Sequence, residues 1–299
     1  MQASMYLLLM LTGKNVFKWR FGQTSYWCHG SGADALVVLH GGPGFPHYYL
    51  QNLSDLASDN LRVVFYDQLG CGDSPAPTGF SDWSVELFVE ELELLREAVG
   101  LSAMHLLGHS WGGSLAIEYA LAYPQKTSSL ILSSPLVDSS LWSQGARKLQ
   151  DCLPGDQGER MRAHEEAGTT ESEEYQRIYD EYLLRHDCSL DPLPEDMLLA
   201  REKFGTDVYN AMWGPSESHA SGLLKDWSCL DRLDQIKLPV LVLSGSKDSA
   251  TPEQVGAGVN RLQDVRWQIF PAGTHNLHLE QPEVYLPAVS AFLTSQGCL

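Results

Sequence analysis

Positive charge is what this chain is short of. Twenty Lys and Arg stand against thirty-eight Asp and Glu, a formal net charge of −18 at pH 7 in 299 residues. Such a surface repels phosphate backbones and anionic lipid, so nucleic acid and membrane surfaces are excluded as partners. Long apolar runs are missing as well. The longest, Met5 to Leu11, has seven residues, where a bilayer span needs about 20. Nothing basic precedes that run, and no small-x-small cleavage site separates it from Gly13 and Lys14. It is therefore expected to be a buried lead strand and not an export signal, and the protein to be cytoplasmic. The six cysteines (Cys28, Cys71, Cys152, Cys188, Cys229, Cys298) form no C-x-x-C pair and no dense framework, so free thiols are expected. Internal repeats and low-complexity tracts are absent. With 43% hydrophobic and 19% charged positions, disorder and coiled coil are excluded, and one large core or two modest ones remain.

What is present is an alternation. Residues 15 to 30 read as a hairpin of two strands around Gly22 and Gln23, with Phe17, Trp19, Phe21 and then Tyr26, Cys28 spaced by two. Short apolar runs follow at Ala35 to His40, Arg62 to Asp67, Met104 to His109, Ser129 to Ser133, Pro239 to Ser244 and Val265 to Phe270, the pattern of strands buried on both faces. Between them lie helical patterns. Trp83, Leu87, Phe88, Leu92, Leu95 and Val99 recur at helical spacing, with Asp82 as N-cap and Gly100 as stop; residues 112 to 123 repeat the period and end before Pro124. The chain is thus predicted to be α/β, with a mostly parallel central sheet and helices on both faces.

The alternation breaks between residues 136 and 235. Residues 151 to 210 hold sixteen acidic and six basic positions, ten of the eighteen excess negative charges. This stretch is predicted to be a helical cap inserted into a core made of residues 1–135 and 236–299. Most of its carboxylates read as a solvated helical face.

Gly108-His109-Ser110-Trp111-Gly112 fits G-x-S-x-G between an apolar strand and a helix, the context that gives the pattern meaning. Its glycines permit a cramped turn that pushes Ser110 Oγ outward at the positive end of the next helix, which makes Ser110 the expected nucleophile. Two oxyanion donors are needed: the Trp111 backbone N–H, and a second from His40-Gly41-Gly42-Pro43-Gly44, where Pro43 has no N–H and Gly42 is the natural donor. His40 is expected to brace that loop. In a strand-turn-helix serine site the chain order is Ser, acid, His. Asp248 follows the strand ending at Ser244, and His275 follows the strand ending at Phe270, so both lie in loops at carboxyl ends of strands. They are the expected acid and base. His109 is expected to point away from the reaction. His278 lies three residues after His275, but no third ligand of suitable spacing accompanies the pair, so no metal is expected. No cofactor is required.

Together these residues resemble the α/β-hydrolase superfamily and, more narrowly, the proline iminopeptidase family of serine aminopeptidases with its relatives, the amino-acid amidases. The resemblance rests on His40 to Gly44, Asp67 to Ser74, Gly108 to Gly113 and the Asp248 and His275 loops. In the cap it rests on Leu190-Asp191-Pro192, Val208 to Glu217 and Lys225-Asp226-Trp227. It implies an α/β-hydrolase fold and cleavage of an N-terminal residue, often proline, whose α-ammonium is held by carboxylates. Glu217 matches one of these by position, and Trp111, Tyr209 and Trp213 are aromatics for an apolar wall. Where similar members carry a glutamate directly after the catalytic aspartate, this chain has Ser249, whose hydroxyl supplies no charge. Two readings stand: an aminopeptidase or amidase acting on a small peptide, amino-acid amide or ester, and an esterase or small-molecule hydrolase that has lost strict amine recognition. Nothing in the chain sets an assembly state.

Overall fold

Six apolar runs and one hairpin become eight strands of a single sheet. The computed structural model describes residues 13 to 298, so the run Met5 to Leu11 lies outside the described residues. The strands are β1 Gly13–Trp19, β2 Gly22–His29, β3 Asp34–Leu39, β4 Leu61–Tyr66, β5 Met104–His109, β6 Thr127–Ser133, β7 Val240–Gly245 and β8 Val265–Phe270. They lie in the order β1-β2-β4-β3-β5-β6-β7-β8. β2 pairs antiparallel with β1 and with β4, and every later pair is parallel. The helices are α1 Val85–Val99, α2 Trp111–Ala122, α3 Ser139–Asp151, α4 Gln157–Ala167, α5 Glu173–His186, α6 Glu195–Glu202, α7 Thr206–Met212, α8 Pro252–Val259, α9 Leu277–Glu280 and α10 Pro282–Ser295.

The two-residue period of a strand divides each central strand between two apolar layers. In β3, Ala35, Val37 and Leu39 join a core with α1 and α2, whereas Leu36 and Val38 join a second core with the 3-10 segment His47–Leu56 and α10. That double burial explains why these strands read as continuous apolar runs. β8 departs from the expectation. It is an edge strand, where Phe270 is buried in one core and Val265 and Trp267 are only partly buried against the other, with Arg266 and Ile269 exposed, so its two faces are covered only in part. Two local expectations are also corrected. The hairpin turns at Arg20 and Phe21, because Trp19 pairs with Gly22. Helix α1 is capped by Ser84, whose Oγ accepts from Leu87 N at 3.1 Å, and not by Asp82, which lies beyond that three-residue reach. Gly100 ends the helix at φ 76° as its position predicts.

Helices α3 to α7 all lie between β6 and β7. Helices α3 to α5 share a small apolar cluster of their own, including Met161, Tyr175, Ile178 and Tyr182, whereas α6 and α7 pack into the two main cores, and the segment between α6 and α7 touches the loops at the carboxyl ends of the strands. Gly205 N donates to Gly44 O at 2.8 Å, and Gly72 N to Lys203 O at 3.1 Å. The acidic stretch is thereby held against the mouth of the sheet.

Candidate active site

Ser110 stands where β5 turns into α2. Its φ of 55° lies in the left-handed region, a strained conformation for a residue with a side chain that persists only when its surroundings hold it. Ser110 N donates to Ser133 O at 3.0 Å, while Ser110 O accepts from Gly113 N at 2.9 Å and Leu136 N at 3.3 Å. The flanking glycines are required by space. A Cβ on Gly108 would lie 2.1 Å from Gly112 O, and one on Gly112 would lie 2.1 Å from Leu39 O.

The His40–Gly44 loop runs beside the serine, since a Cβ on Gly41 would meet Ser110 Cβ at 3.2 Å. Among the described residues, neither Gly42 N nor Trp111 N donates to a protein acceptor, so both donors are free for a ligand oxygen. His40 braces this loop as its position suggested. Its Nε2 accepts from Gln68 N at 2.9 Å and its Nδ1 lies 2.9 Å from Gly41 O. A carbonyl only accepts, so Nδ1 carries the proton, and burial holds the ring neutral by lowering its pKa to about 4. Gln68 joins both oxyanion elements, donating to His40 O and accepting from Trp111 Nε1, each at 2.9 Å. Its side chain had no assigned role in the sequence; the Asp67 to Ser74 motif was the signal.

The acid and base loops meet as expected. Asp248 Oδ1 lies 2.7 Å from His275 Nδ1 and accepts from Ala250 N at 2.7 Å. Its Oδ2 accepts from Ser134 Oγ at 2.5 Å and Gly245 N at 3.3 Å. Burial alone would lower the His275 pKa. The Asp248 carboxylate, through its charge and hydrogen bond, and the Asp187 and Glu217 carboxylates beyond it, raise it to about 9.

His109 links the two halves of the site. Tyr49 Oη accepts from Gly41 N at 2.9 Å and lies 2.8 Å from His109 Nδ1, whose Nε2 lies 2.9 Å from His275 O. Donation therefore runs from Gly41 through Tyr49 and His109 to the His275 carbonyl. The rings of His109 and His275 are 4.7 Å apart. Among the described residues Ser110 Oγ makes no hydrogen bond to His275; in unliganded serine sites that bond is commonly long and tightens when substrate docks. His278 turns its Nε2 to Tyr49 O at 3.0 Å.

Gly42, Ser110, Trp111, Leu136, Trp142, Trp213 and Glu217 line one cleft of about 190 Å³. Tyr209 is not among them. Its hydroxyl donates to Glu217 Oε2, so it holds a carboxylate and does not form a wall. The Trp111 indole turns toward the core, with Nε1 on Gln68 and its ring edge-on to Phe88. Trp142, on α3, was not singled out by any sequence motif. Its Nε1 donates to Glu217 O at 2.9 Å, and its ring stands edge-on to Trp213 at 5.8 Å and to His275 at 5.7 Å. Glu217 is further fixed through its neighbours, because the hydroxyls of Ser216 and Ser218 both donate to Glu165 Oε1. Burial is the main cause that raises the Glu217 pKa to about 7, with Asp187 adding to it and the Tyr209 hydroxyl and His275 opposing. Ser249 is buried outside the cleft lining, and its Oγ has no hydrogen-bond partner among the described residues.

The family model for the alpha/beta hydrolase fold matches residues 34–282. The proline iminopeptidase of Heyndrickxia coagulans is 39% identical over 267 residues, covering 88% of this chain and 92% of that protein. Among solved structures, the Mycobacterium smegmatis proline iminopeptidase superposes with a TM-score of 0.88 at 35% identity, covering 95% of this chain and 98% of that one. VinJ superposes with a TM-score of 0.91 at 34% identity, covering 95% and 99%. With a nucleophile turn, a paired acid and base and a carboxylate-bearing cleft on this fold, the chain belongs to the proline iminopeptidase family of the α/β hydrolases.

Proposed function

We propose that the protein is a serine aminopeptidase that releases an N-terminal residue, proline or another small one, from a short peptide or amide through an acyl-enzyme on Ser110. The observation that carries this reading is the presence of the Glu217 carboxylate in the same small cleft as Ser110 and Gly42. A carboxylate there gives a substrate ammonium a charge-assisted hydrogen bond and sets the chain end in register with the nucleophile. In this reading residues 136–235 are a cap over a core of 1–135 and 236–299, supplying Trp142, Trp213 and Glu217. All six cysteines are free, which suits the reducing cytoplasm.

In the reaction Ser110 Oγ attacks the carbonyl carbon while His275 Nε2 takes its proton. Asp248 holds the proton on Nδ1 and stabilises the imidazolium. The negative charge that develops on the carbonyl oxygen is met by the Gly42 and Trp111 N–H groups, each such donor contributing on the order of 10²–10³ in rate. The C–N bond breaks as His275 returns its proton to the leaving amine. Water, deprotonated by the same imidazole, then attacks the ester and frees Ser110.

A second reading, an esterase without strict amine recognition, is favoured by Ser249, which places an unpartnered hydroxyl where similar members carry a charge. One experiment separates the two. A panel pairs each amino-acid p-nitroanilide with its N-acetylated form, alongside a simple p-nitrophenyl ester. The aminopeptidase reading expects proline p-nitroanilide turnover that is abolished by acetylation and by Ser110→Ala; turnover of the ester alone refutes it.

A further inference from the structure

The acid and base of the site lie on separate loops, residues 245–250 and 271–276, and the end of one inserted helix reaches both. Helix α5 stops at His186, and Asp187 follows as its C-cap. The His186 ring places Nδ1 2.8 Å from Lys247 O. A carbonyl only accepts, so Nδ1 carries the proton there. Burial lowers the His186 pKa, favouring this neutral ring. The His186 carbonyl accepts from Ser249 N at 3.0 Å and from His275 N at 3.1 Å, using both lone pairs, one on the residue after the acid and one on the base itself. The Asp187 carbonyl accepts from Asn276 N at 3.0 Å, Asn276 Nδ2 at 2.9 Å and Thr274 Oγ1 at 2.9 Å. Six hydrogen bonds from two consecutive residues thus tie positions 247 and 249 to positions 274, 275 and 276.

We propose that His186 is a positioning residue for the catalytic pair: with its own carbonyl and that of Asp187, it sets the separation of the Asp248 and His275 loops. Among these six bonds, the ring bond to Lys247 O is the only one made by a side chain of the pair. It is the contact that a substitution can remove while the backbone bonds remain. Loosening it lets the acid loop drift from the imidazole. A misplacement of about 1 Å can cost on the order of 10²-fold in rate, so loss of one bond of six is put at about tenfold.

The inference rests on the roles given above to Asp248 and His275, not on the identity of the substrate, and its test is arranged accordingly. His186→Ala and His186→Asn are compared with wild type on proline p-nitroanilide and on p-nitrophenyl acetate, with rates expressed per serine titrated by a fluorophosphonate. Such titration removes any misfolded fraction from the comparison. The expectation for His186→Ala is kcat lowered about tenfold, KM within about twofold because the cleft lining is untouched, and the acidic limb of kcat/KM moved toward lower pH as the imidazole loses part of its carboxylate support. In His186→Asn the amide N–H restores the bond to Lys247 O, and both kcat and the limb return most of the way. A lowered thermal midpoint with kcat per titrated serine unchanged, a limb that does not move, or no recovery in the Asn variant overturns the proposal. If wild type cleaves only the ester, the aminopeptidase reading fails, while the positioning role is still decided on that ester.

Discussion

Replacing Glu217 by glutamine isolates the charge in the cleft. Tyr209 donates to one carboxylate oxygen, and glutamine keeps an acceptor for it, so the residue 216–218 turn stays fixed by Glu165, Trp142 and Trp213. On the proposed assignment, what is lost is the charge-assisted bond that the substrate ammonium donates to the second oxygen. Hydrogen bonds to charged groups contribute about 1.5–3 kcal/mol, which is roughly 10- to 150-fold in affinity. The contact exists in ground and transition states alike, so the loss falls on KM and leaves kcat within a few-fold. The pH dependence gives an independent check. Burial raises the Glu217 pKa to about 7, and the binding form is the carboxylate. Wild-type KM for proline p-nitroanilide therefore falls as pH rises through 7, whereas the variant's does not, and the gap between them narrows about tenfold from pH 8 to pH 6. Initial rates over a substrate series at each pH supply both parameters. A KM change under twofold at pH 8, or the same ratio at both pH values, refutes the assignment of the ammonium to Glu217.

Three further outcomes follow from other parts of the molecule. Asp248→Asn is expected to lower kcat by roughly 10⁴-fold and to shift the acidic limb of kcat/KM downward. The shift follows because Asp248 is what raises the His275 pKa to about 9 against the opposing effect of burial; a pH–rate profile with the limb unmoved contradicts this. Glu91 is buried, accepting from Thr24 Oγ1 and Leu69 N, and burial raises its pKa to about 8. The folded state then binds the proton more tightly than the unfolded one, so its contribution is full below about pH 4.5 and is lost as pH rises through 8. Glu91→Gln should raise the thermal midpoint relative to wild type at pH 8 and not at pH 5, by calorimetry. Gly112→Ala drives a methyl to 2.1 Å from Leu39 O, where it has backbone to displace. We expect a loss of more than about 3 kcal/mol by denaturant titration, beyond the usual cost of overpacking, and a soluble variant of unchanged midpoint would count against the close-packed turn.

The placement of Ser110, Asp248 and His275 was legible because each sits in a short loop directly after an apolar strand. Strand periodicity places those loops at one edge of the sheet before any tertiary contact is known. Other features left weaker marks. Arg266 and Gln268 interrupt the run in β8, and that alternation was the available sign of an edge strand. Asp82 and Ser84 are equally good capping residues by type; only the helix register, with Leu87 N as the donor in reach, decides between them. Trp142 joined the cleft lining unannounced, and Tyr209, expected in it, holds Glu217 instead, because residues of the inserted helices meet the site through folding of the whole insertion, which no local period encodes. The contacts of His186 and Asp187 were invisible for a further reason. Five of the six are made by main-chain carbonyls, which every residue possesses.

The strand order also divides the proposed active site between two parts of the chain. β1 to β6 form a contiguous six-stranded unit, and β7 and β8 add to its free side afterwards. The turn that bears the alcohol lies within the first unit, whereas the proposed acid and base, Asp248 and His275, follow β7 and β8, so a chain cut before residue 240 keeps Ser110 and lacks both.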